Sequence, residues 1–389
     1  MRGMLAAVLA TLVAGGVMME AQGSKVVVPG AGTLPFSLAT RADGLIYLAG
    51  TLAQGPDIKA QTKGVLDSLS ETLSKAGSSM ANVVAVHVYL KNAADAAAMT
   101  EVYRTYWPKD PPVRTTISAQ LVRADALVEM SMVAVPNGAE RVVVNPAGWS
   151  TANPYSYGIR SGDTLFLSGS ISRNPKDNSP IEGDLTAQTK TVLGNIGEVL
   201  KTAGFGFEHV VATRAYITDG TKFQDMNAVY RTFFPNDPPA RATVIAPLPG
   251  APYQVEITMT ARRGPKQAFT TPAADGSPGK PNPVLSSAIK SGNRLYVSGI
   301  LGNTDSNKGN TEAQTTELLA RVGRTLKAAG YDWTDVVDGI VYITDVANFD
   351  AMNKAYRAVF AKDFPARATV QTGLVGADGL VEIMLVASK

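Results

Sequence analysis

The residues of this 389-residue chain that are best suited to chemistry are arginines and glutamates that recur at one spacing. Each arginine is followed fifteen positions later by a glutamate, giving Arg114 with Glu129, Arg241 with Glu256, and Arg367 with Glu382. A guanidinium keeps its charge and binds a carboxylate through two parallel hydrogen bonds. A glutamate can deprotonate water or pass a proton to a leaving group. The spacing indicates either a site for a small carboxylated ligand or, as a structural alternative, an ion pair between strands of a sheet.

The same spacing shows that the chain is built from repeats. From copy to copy the arginines and the glutamates advance by 127 and then by 126 residues. Three other sets keep the same register: Gln61, Gln188 and Gln314; Gly77, Gly204 and Gly330; and Tyr103, Tyr230 and Tyr356. This period is far above that of solenoids, so each copy is a whole domain. We divide the chain into a signal segment at residues 1–22 and repeats at 25–138, 139–264 and 265–389.

Local patterns predict the same elements in each repeat. A short strand opens each repeat, and two more follow it, at 36–41 and 45–49 in repeat 1, at 155–160 and 164–168 in repeat 2, and at 286–290 and 294–298 in repeat 3. A turn joins these two strands, with Asp43 and Gly44 in repeat 1, which is hairpin chemistry. Apolar residues at helical spacing then end at the glycine landmark, placed as a left-handed C-cap. An apolar strand at 83–90, a second helix around Tyr103 and two closing strands follow. Each copy reads β-β-β-α-β-α-β-β, an α+β domain with one mixed sheet backed by two helices on one face.

Composition narrows the chemistry. The formal net charge of +3 is small for this length and gives no electrostatic reason to bind nucleic acid or a membrane surface. Cysteine is absent, which excludes disulfides, thiol catalysis and a cysteine-built zinc site. The two histidines, His87 and His209, occupy non-equivalent positions in or at the start of strands, so we interpret both as structural.

The N-terminal segment resembles a secretory signal in layout. Arg2 precedes an uncharged, mostly apolar run over residues 4–19, which is too short for a comfortable membrane span. We expect export to a bacterial periplasm and no membrane attachment after the segment is removed. An uncleaved anchor is the alternative, because a bulky residue stands two positions before Ala21.

Short motifs follow one another in a fixed order. Repeat 2 carries Asn-Pro-Tyr-Ser at 153–156, Ser-Gly at 168–169, Asn227 three residues before Tyr230, Ala-Arg at 240–241 and Val-Glu-Ile at 255–257. In this order and spacing they resemble the motifs of the RidA (YjgF) family of reactive imine/enamine deaminases. Repeat 3 keeps the Ser-Gly, the asparagine, the arginine and the glutamate but has Leu285 at the tyrosine position. Repeat 1 departs at four positions, with Phe36, Ala49, Thr100 and Val113, so we interpret its site as degenerate.

The resemblance implies a fold and an arrangement. Members of the family are homotrimers of chorismate-mutase-like domains with ligand clefts between subunits. Three such domains in one chain are therefore expected to form an intramolecular pseudo-trimer with three non-identical clefts, and the chain is expected to be monomeric.

The resemblance also implies an activity, the hydrolysis of small reactive 2-imino or 2-enamino acids to 2-oxo acids and ammonia. The six arginines and glutamates are then catalytic, the arginines binding the carboxylate and the glutamates handling water and protons. The implied substrate-binding residues are Tyr155, Ser168, Gly169, Asn227, Ser298, Gly299 and Asn353. An imine is already electrophilic, so neither a metal nor a cofactor is required.

Two other functions stay open at this point. One is a non-catalytic binding protein for a small carboxylated metabolite, favoured by the degenerate repeat 1 and by the expected compartment. The other is a ribonuclease activity attributed to some relatives. The small net charge and the lack of a basic and aromatic stripe argue against it, so no nucleic-acid partner is expected.

Overall fold

The computed structural model describes residues 25–30, 34–250, 252–360 and 362–389. The predicted signal segment at residues 1–22 lies outside the described residues. Across the described ranges, no helix has the length and apolar character needed to span a bilayer.

Each repeat contains two α-helices and the strands of one sheet. Repeat 1 holds β1 (Val26–Val28), β2 (Ala39–Ala42), β3 (Leu45–Leu52), α1 (Ile58–Lys75), β4 (Val83–Leu90), α2 (Ala96–Tyr106), β5 (Val113–Ser118), β6 (Gln120–Leu121) and β7 (Val128–Ala134). Repeat 2 holds β8 (Val142–Val144), β9 (Gly158–Ser161), β10 (Thr164–Leu167), β11 (Ser170–Ile171), α3 (Leu185–Thr202), β12 (Val210–Ile217), α4 (Phe223–Phe233), β13 (Ala240–Ile245) and β14 (Val255–Arg262). Repeat 3 holds β15 (Lys266–Phe269), β16 (Ala288–Ser291), β17 (Arg294–Leu301), α5 (Thr311–Ala328), β18 (Val336–Ile343), α6 (Phe349–Arg357), β19 (Ala366–Gln371), β20 (Gly373–Leu374) and β21 (Val381–Ser388).

The three sheets share one topology, and the predicted α+β architecture is confirmed. The strand order in repeat 1 is β1-β2-β3-β7-β4-β5, and repeats 2 and 3 repeat it with their own strands. In the sheet of repeat 1, β4 and β5 are parallel and the other pairs are antiparallel, which makes it a mixed sheet. The glycine landmarks end α1, α3 and α5 as expected, with φ of 79° at Gly77, 73° at Gly204 and 82° at Gly330.

The glutamine landmarks are structural clamps. In repeat 2, the Gln188 side-chain Nε2 donates to the Pro252 carbonyl at 2.9 Å, and its Oε1 accepts the Gln254 N–H at 2.8 Å. Gln61 and Gln314 make the equivalent pair of bonds in their repeats. Each clamp joins the start of a long helix to the loop that enters the glutamate strand, so it fixes where that strand begins.

The first hairpin strand begins later than predicted in every repeat. The expected strands start at 36, 155 and 286, whereas β2, β9 and β16 start at Ala39, Gly158 and Ala288. The residues just before them pair with a neighbouring repeat instead: the N–H groups of Ser37, Ser156 and Ser286 donate to the carbonyls of Pro365, Pro112 and Pro239. The alternating pattern could not reveal this, because the partner carbonyl belongs to a distant part of the chain.

Both faces of each sheet are buried. One face packs on the two helices of its own repeat and forms a separate apolar core there. The other face meets the neighbouring sheets in a shared core that includes the equivalent tyrosines Tyr89, Tyr216 and Tyr342. Strands such as β4, which are apolar at nearly every position, have the composition expected for a sheet covered on both sides.

Edge strands and ion pairs join the repeats to one another. β6 of repeat 1 extends the sheet of repeat 3, β20 of repeat 3 extends the sheet of repeat 2, and the Ser118 N–H of repeat 1 donates to the Pro247 carbonyl of repeat 2. Asp43 of repeat 1 lies 2.8 Å from Arg294 of repeat 3 and 3.4 Å from Arg262 of repeat 2. Every repeat therefore contacts both others.

Candidate active site

The arginine and the glutamate of one repeat do not meet. Arg114 lies on β5 and Glu129 on β7, and β4 runs between these two strands in the sheet. Two strand spacings separate the strands by about 10 Å. The alternative of an ion pair within one sheet is therefore absent from this repeat, and the same strand order separates the pair in the other two.

Each arginine instead lies near a glutamate of another repeat. Arg114 of repeat 1 acts electrostatically on Glu256 of repeat 2, and we call their site cleft I. The same relation links Arg241 with Glu382 in cleft II and Arg367 with Glu129 in cleft III. In cleft I the contact between repeats is direct, since the Thr116 N–H of repeat 1 donates to Glu256 Oε1 at 3.2 Å.

A Ser-Gly pair positions clefts I and II. The pairing of β17 with β21 shifts register between Val297 and Ile300, so Ser298 and Gly299 form the bulge. A bulge redirects the side chains at its site. Here it turns the Ser298 hydroxyl to accept the backbone N–H of Arg241 at 2.8 Å. In cleft I, Ser168 accepts the backbone N–H of Arg114 in the same way, at 2.9 Å.

The glycine of each bulge lets the glutamate lie against the backbone. A Cβ added at Gly50, Gly169 or Gly299 would lie 1.9 Å from the glutamate Oε1 of the same repeat. Two atoms cannot approach so closely, so a larger residue would displace the carboxyl group. The glycine is thus required by the position of the carboxyl group.

The arginine of cleft II is buried, held in place and still able to donate. Arg241 is 1% exposed, its Nη2 donates to Asn227 Oδ1 at 2.7 Å, and its Cζ lies 4.6 Å from the centre of the Tyr230 ring. Among the described residues, its Nε and Nη1 have no hydrogen-bond partner. Two buried donors of one guanidinium are therefore available to a ligand carboxylate.

Cleft III repeats this arrangement with changes. The Arg367 Nη2 donates to Asn353 Oδ1 at 2.8 Å, and its Cζ lies 4.7 Å from the Tyr356 ring and 5.5 Å from the Phe36 ring. Its Nε also lacks a partner within the described ranges. Burial lowers the pKa of Arg367 to about 10, so the group stays cationic at neutral pH. Ala49 replaces the bulge serine, so the serine hydroxyl that accepts the backbone N–H of Arg114 and of Arg241 has no counterpart at position 49.

Cleft I has a threonine in place of the asparagine. The Arg114 Nη1 donates to Thr100 Oγ1 at 3.2 Å, and its Cζ lies 5.0 Å from the Tyr103 ring and 6.0 Å from the Tyr155 ring. The Tyr155 hydroxyl accepts a hydrogen bond from Arg173 Nη1 at 3.3 Å. A second guanidinium therefore fixes the aromatic ring of this cleft.

The glutamates are buried acids with pKa values near neutrality. Glu129, Glu256 and Glu382 are 3%, 5% and 3% exposed. Burial raises the pKa of Glu256 to about 7 and the pKa values of Glu129 and Glu382 to about 8, against the opposing effects of the facing arginine and a backbone amide. A carboxyl group that is partly ionised at pH 7 to 8 can both take and give a proton.

The sequence motifs of one repeat are divided between two clefts. Tyr155, Ser168, Gly169 and Glu256 of repeat 2 serve cleft I, whereas Asn227 and Arg241 of the same repeat serve cleft II. The departures in repeat 1 are divided too, with Thr100 in cleft I and Phe36 and Ala49 in cleft III. The unit of the site is therefore a pair of repeats, and every cleft departs from the full motif set at one position or more.

Sequence reasoning missed some of the residues around the arginines. Tyr103, Tyr230 and Tyr356 were noted as repeat landmarks, and Tyr230 also as part of a family motif, but none was predicted to lie in the site; each lies under a guanidinium. Their fixed spacing of eleven residues before the arginine was the signal that could have found them. Arg173 has no equivalent arginine in the other repeats, and no periodic signal marks it. The two histidines lie elsewhere: His87 is within β4, and the His209 Nδ1 accepts the Gly206 N–H at 3.0 Å.

Cleft II has a measurable volume. It is a cavity of about 600 Å³ whose lining includes both Arg241 and Glu382. A buried cation with free donors and a carboxyl group of near-neutral pKa thus share one space of ligand size.

Comparison with known proteins gives a consistent result. A family model described as Endoribonuclease L-PSP matches the chain three times, at residues 30–136, 147–263 and 279–389. The RutC family protein of Sulfurisphaera tokodaii is 43% identical over 91 residues, which are 23% of this chain and 73% of that protein. The 2-iminobutanoate/2-iminopropanoate deaminase of Mus musculus is 32% identical over 126 residues, 32% of this chain and 93% of that protein. The 3-aminoacrylate deaminase RutC of Acinetobacter baylyi is 36% identical over 108 residues, 26% of this chain and 86% of that protein.

Among solved structures, a chorismatase matches at a TM-score of 0.55 and 17% identity, over 79% of this chain and 93% of that chain. At that identity the likeness concerns the fold alone. Each of the three relatives above aligns with about one repeat, so the tandem arrangement is a feature of this chain.

Proposed function

The chain belongs to the Endoribonuclease L-PSP family as three tandem RidA-type repeats, and from this membership and its clefts we propose that it hydrolyses small 2-imino and 2-enamino acids to 2-oxo acids and ammonia. The observation that carries the proposal is the cross-repeat pair, a buried arginine with free donors facing a buried glutamate of near-neutral pKa. The names of the mouse and Acinetobacter relatives, both deaminases of such compounds, support it.

The proposed reaction in cleft II begins with binding of the substrate carboxylate. Nη1 of Arg241, which has no partner among the described residues, donates to the substrate carboxylate, while Asn227 and Tyr230 hold the guanidinium in place. Neighbouring Glu382 is then within the same cavity as the imine carbon. A fixed carboxylate handle brings the reacting carbon and the catalytic carboxyl group together, which lowers the entropy cost of reaction.

The proton transfers then pass through the glutamate. Ionised Glu382 takes a proton from water as the water oxygen bonds to the imine carbon, and the protonated acid delivers it to the nitrogen. In the resulting carbinolamine the hydroxyl proton returns to the carboxylate and is passed to the amino group. The C–N bond breaks, ammonia leaves and the C=O bond of the 2-oxo acid forms. The carboxyl group ends in its starting state, and a pKa of about 8 suits both halves of the cycle.

The test is the disappearance of freshly generated 2-iminopropanoate, with ammonia release as the second readout. We expect acceleration over buffer by the full chain, and loss of that acceleration when Arg114→Ala, Arg241→Ala and Arg367→Ala are combined. The single variants measure the share of each cleft. Arg160→Ala is the matched control, because Arg160 forms a surface ion pair with Glu140. A wild-type rate equal to that of buffer would overturn the proposal for this substrate.

A second candidate is a binding protein that captures a carboxylated metabolite without turning it over. It is favoured by the finding that every cleft departs from the family motifs, with Thr100, Leu285, or Phe36 and Ala49. Calorimetry with the 2-oxo acid product separates the two functions: tight binding that depends on the arginines, together with no turnover of any imine, supports this second candidate.

The family model carries the name of an endoribonuclease, and we expect no RNA cleavage by this chain. The net charge of +3 offers little attraction for a phosphate backbone. Incubation of the chain with single-stranded RNA at low salt tests this expectation, and salt-dependent cleavage would contradict it.

We also propose that one chain is the functional unit and that it is exported. The ring of contacts among the three repeats supports a monomeric pseudo-trimer, in which each cleft is completed within the chain. Light scattering should give a mass near the 40.8 kDa of one full chain. Export rests on the pattern of residues 1–22 alone, and fractionation of the producing cell would test it.

A further inference from the structure

One position near the arginine differs in kind between cleft II and the other two clefts. It precedes the serine that bonds to the neighbouring repeat, and it is held by Tyr155 in cleft I, Leu285 in cleft II and Phe36 in cleft III. The Tyr155 ring lies 6.0 Å from the Arg114 Cζ, and the Phe36 ring lies 5.5 Å from the Arg367 Cζ. In both clefts an aromatic ring from the facing repeat occupies the space beside the guanidinium.

Leucine leaves that space open in cleft II. Among the described residues, the aromatic rings that lie over the Arg241 guanidinium are those of Tyr230 and Phe223, and both come from its own repeat. Leu285 instead lines the 600 Å³ cavity together with the arginine and the glutamate. The facing repeat therefore contributes an aliphatic wall where the other clefts have a ring.

Three further residues of that wall are apolar, although Asn282 of the same repeat also lines the cavity. Val284, Leu301 and Val375 line the same cavity as Leu285. Leu301 is the direct cross-strand partner of Glu382, so the two side chains lie on one face of the sheet. An apolar group on the substrate would thus find apolar neighbours next to the catalytic carboxyl group.

We propose that cleft II selects 2-imino acids that carry a bulky apolar side chain, branched aliphatic or aromatic, an inference that rests on the proposed deaminase function. The polar part of the ligand, its carboxylate and imine, is the same for every 2-imino acid and is met by Arg241 and Glu382. The side chain is the part that differs, and it occupies the volume that Leu285 leaves free. A three-carbon imino acid would fill only a small part of a 600 Å³ cavity and would leave its apolar wall in water.

The expected preference is large enough to measure. A methylene group that enters an apolar pocket is commonly worth about tenfold or more in kcat/KM. We therefore expect the leucine-derived imine to be hydrolysed with a kcat/KM at least about tenfold above that of the alanine-derived imine. Removal of cleft II by Arg241→Ala should abolish this preference.

The experiment compares imines generated in place by an amino-acid oxidase from alanine, leucine and phenylalanine, with the full-length chain. The readout is the ratio of kcat/KM for the leucine-derived and alanine-derived substrates. Leu285→Tyr installs the residue of cleft I and should lower this ratio at least about fivefold. Phe36→Leu makes the reverse exchange in cleft III and should raise it. Ile181→Tyr, at an exposed apolar position, controls for the added ring and should leave the ratio unchanged.

A turnover-independent readout separates the failure of this inference from the failure of the proposed function. Calorimetry with pyruvate and with 4-methyl-2-oxopentanoate should show tighter binding of the larger acid, lost in Leu285→Tyr. If imines are hydrolysed but Leu285→Tyr changes neither the kcat/KM ratio nor the relative binding of the two oxo acids, the selectivity inference is overturned and the deaminase proposal stands. If no imine is hydrolysed but the larger acid still binds more tightly through Leu285, the deaminase proposal fails and the assigned selectivity of the cleft stands.

Discussion

Replacing the bulge glycines by alanine should separate catalysis from ligand binding. At Gly50, Gly169 and Gly299 an added Cβ would lie 1.9 Å from a glutamate Oε1, whereas real Cβ contacts essentially never fall below 3.0 Å. The carboxyl group must therefore retreat by about 1 Å or the bulge must deform. A displacement of that size in a catalytic group can cost about 100-fold in rate.

The arginine side of each cleft should be little affected. The groups that hold the Arg241 guanidinium, Asn227 and Tyr230, lie in repeat 2, while Gly299 lies in repeat 3. We therefore expect the triple variant Gly50→Ala, Gly169→Ala and Gly299→Ala to lose about 100-fold in kcat while product binding changes far less. Overpacking should cost about 1 to 3 kcal/mol in the free energy of unfolding at each site.

The assay is imine hydrolysis under saturating 2-iminopropanoate, with calorimetric binding of the 2-oxo acid in parallel. Gly194→Ala is the matched control, because a Cβ at this helical position meets no atom within 4 Å. The three single variants divide the total loss among the clefts. A triple variant that keeps wild-type kcat would refute the assignment of the glutamates as the catalytic groups.

Four further predictions concern acidity and stability. With Glu382 as the base and its pKa raised to about 8, kcat/KM should rise from pH 6 to pH 9, and a rate independent of pH would contradict this role. The pKa of Glu382 in the folded state lies above its ordinary value of 4.5, so the protonated acid contributes to stability at low pH and this contribution is lost as the pH rises through 8. Glu382→Gln should therefore be more stable than wild type at pH 9, by up to about 5 kcal/mol in urea unfolding, and equally stable near pH 4. Asp338→Ala should destabilise the fold by about 3 kcal/mol, because it removes the carboxylate that lies 3.9 Å from the Arg214 guanidinium. A double variant that also replaces Arg214 with methionine should recover most of this loss in thermal melts. Gln188→Ala breaks both bonds of a buried clamp and should cost about 1 to 3 kcal/mol in urea unfolding, whereas a value near zero would assign the clamp no structural weight.

Local chemistry made most of the fold predictable. Helix ends were predicted from Gly77, Gly204 and Gly330, because glycine adopts the left-handed conformation that ends a helix without steric cost. The strand Val83–Leu90 was predicted to the residue, since an unbroken run of apolar and β-branched residues suits a sheet buried on both faces. These features depend on neighbours close in sequence.

The limits of sequence reasoning appear where a segment leaves its own repeat. The residues around Ser37, Ser156 and Ser286 were predicted as strand within their sheets, but the N–H groups of these serines donate to prolyl carbonyls of another repeat. The edge strands β6 and β20 also extend sheets of other repeats. No periodic pattern encodes a partner that lies in another repeat.

The sequence by itself determined that three equivalent domains exist, what elements each contains and which arginines and glutamates recur in them. Only the tertiary structure decided that Arg241 faces Glu382 and not Glu256. The physical reason is that β12 separates the strands of Arg241 and Glu256 within one sheet. The apolar faces of the three sheets that carry no helices pack together, and this packing brings the arginine of one repeat against the glutamate of another. Burial between the repeats then gives that glutamate its near-neutral pKa, a property no residue of the sequence has alone.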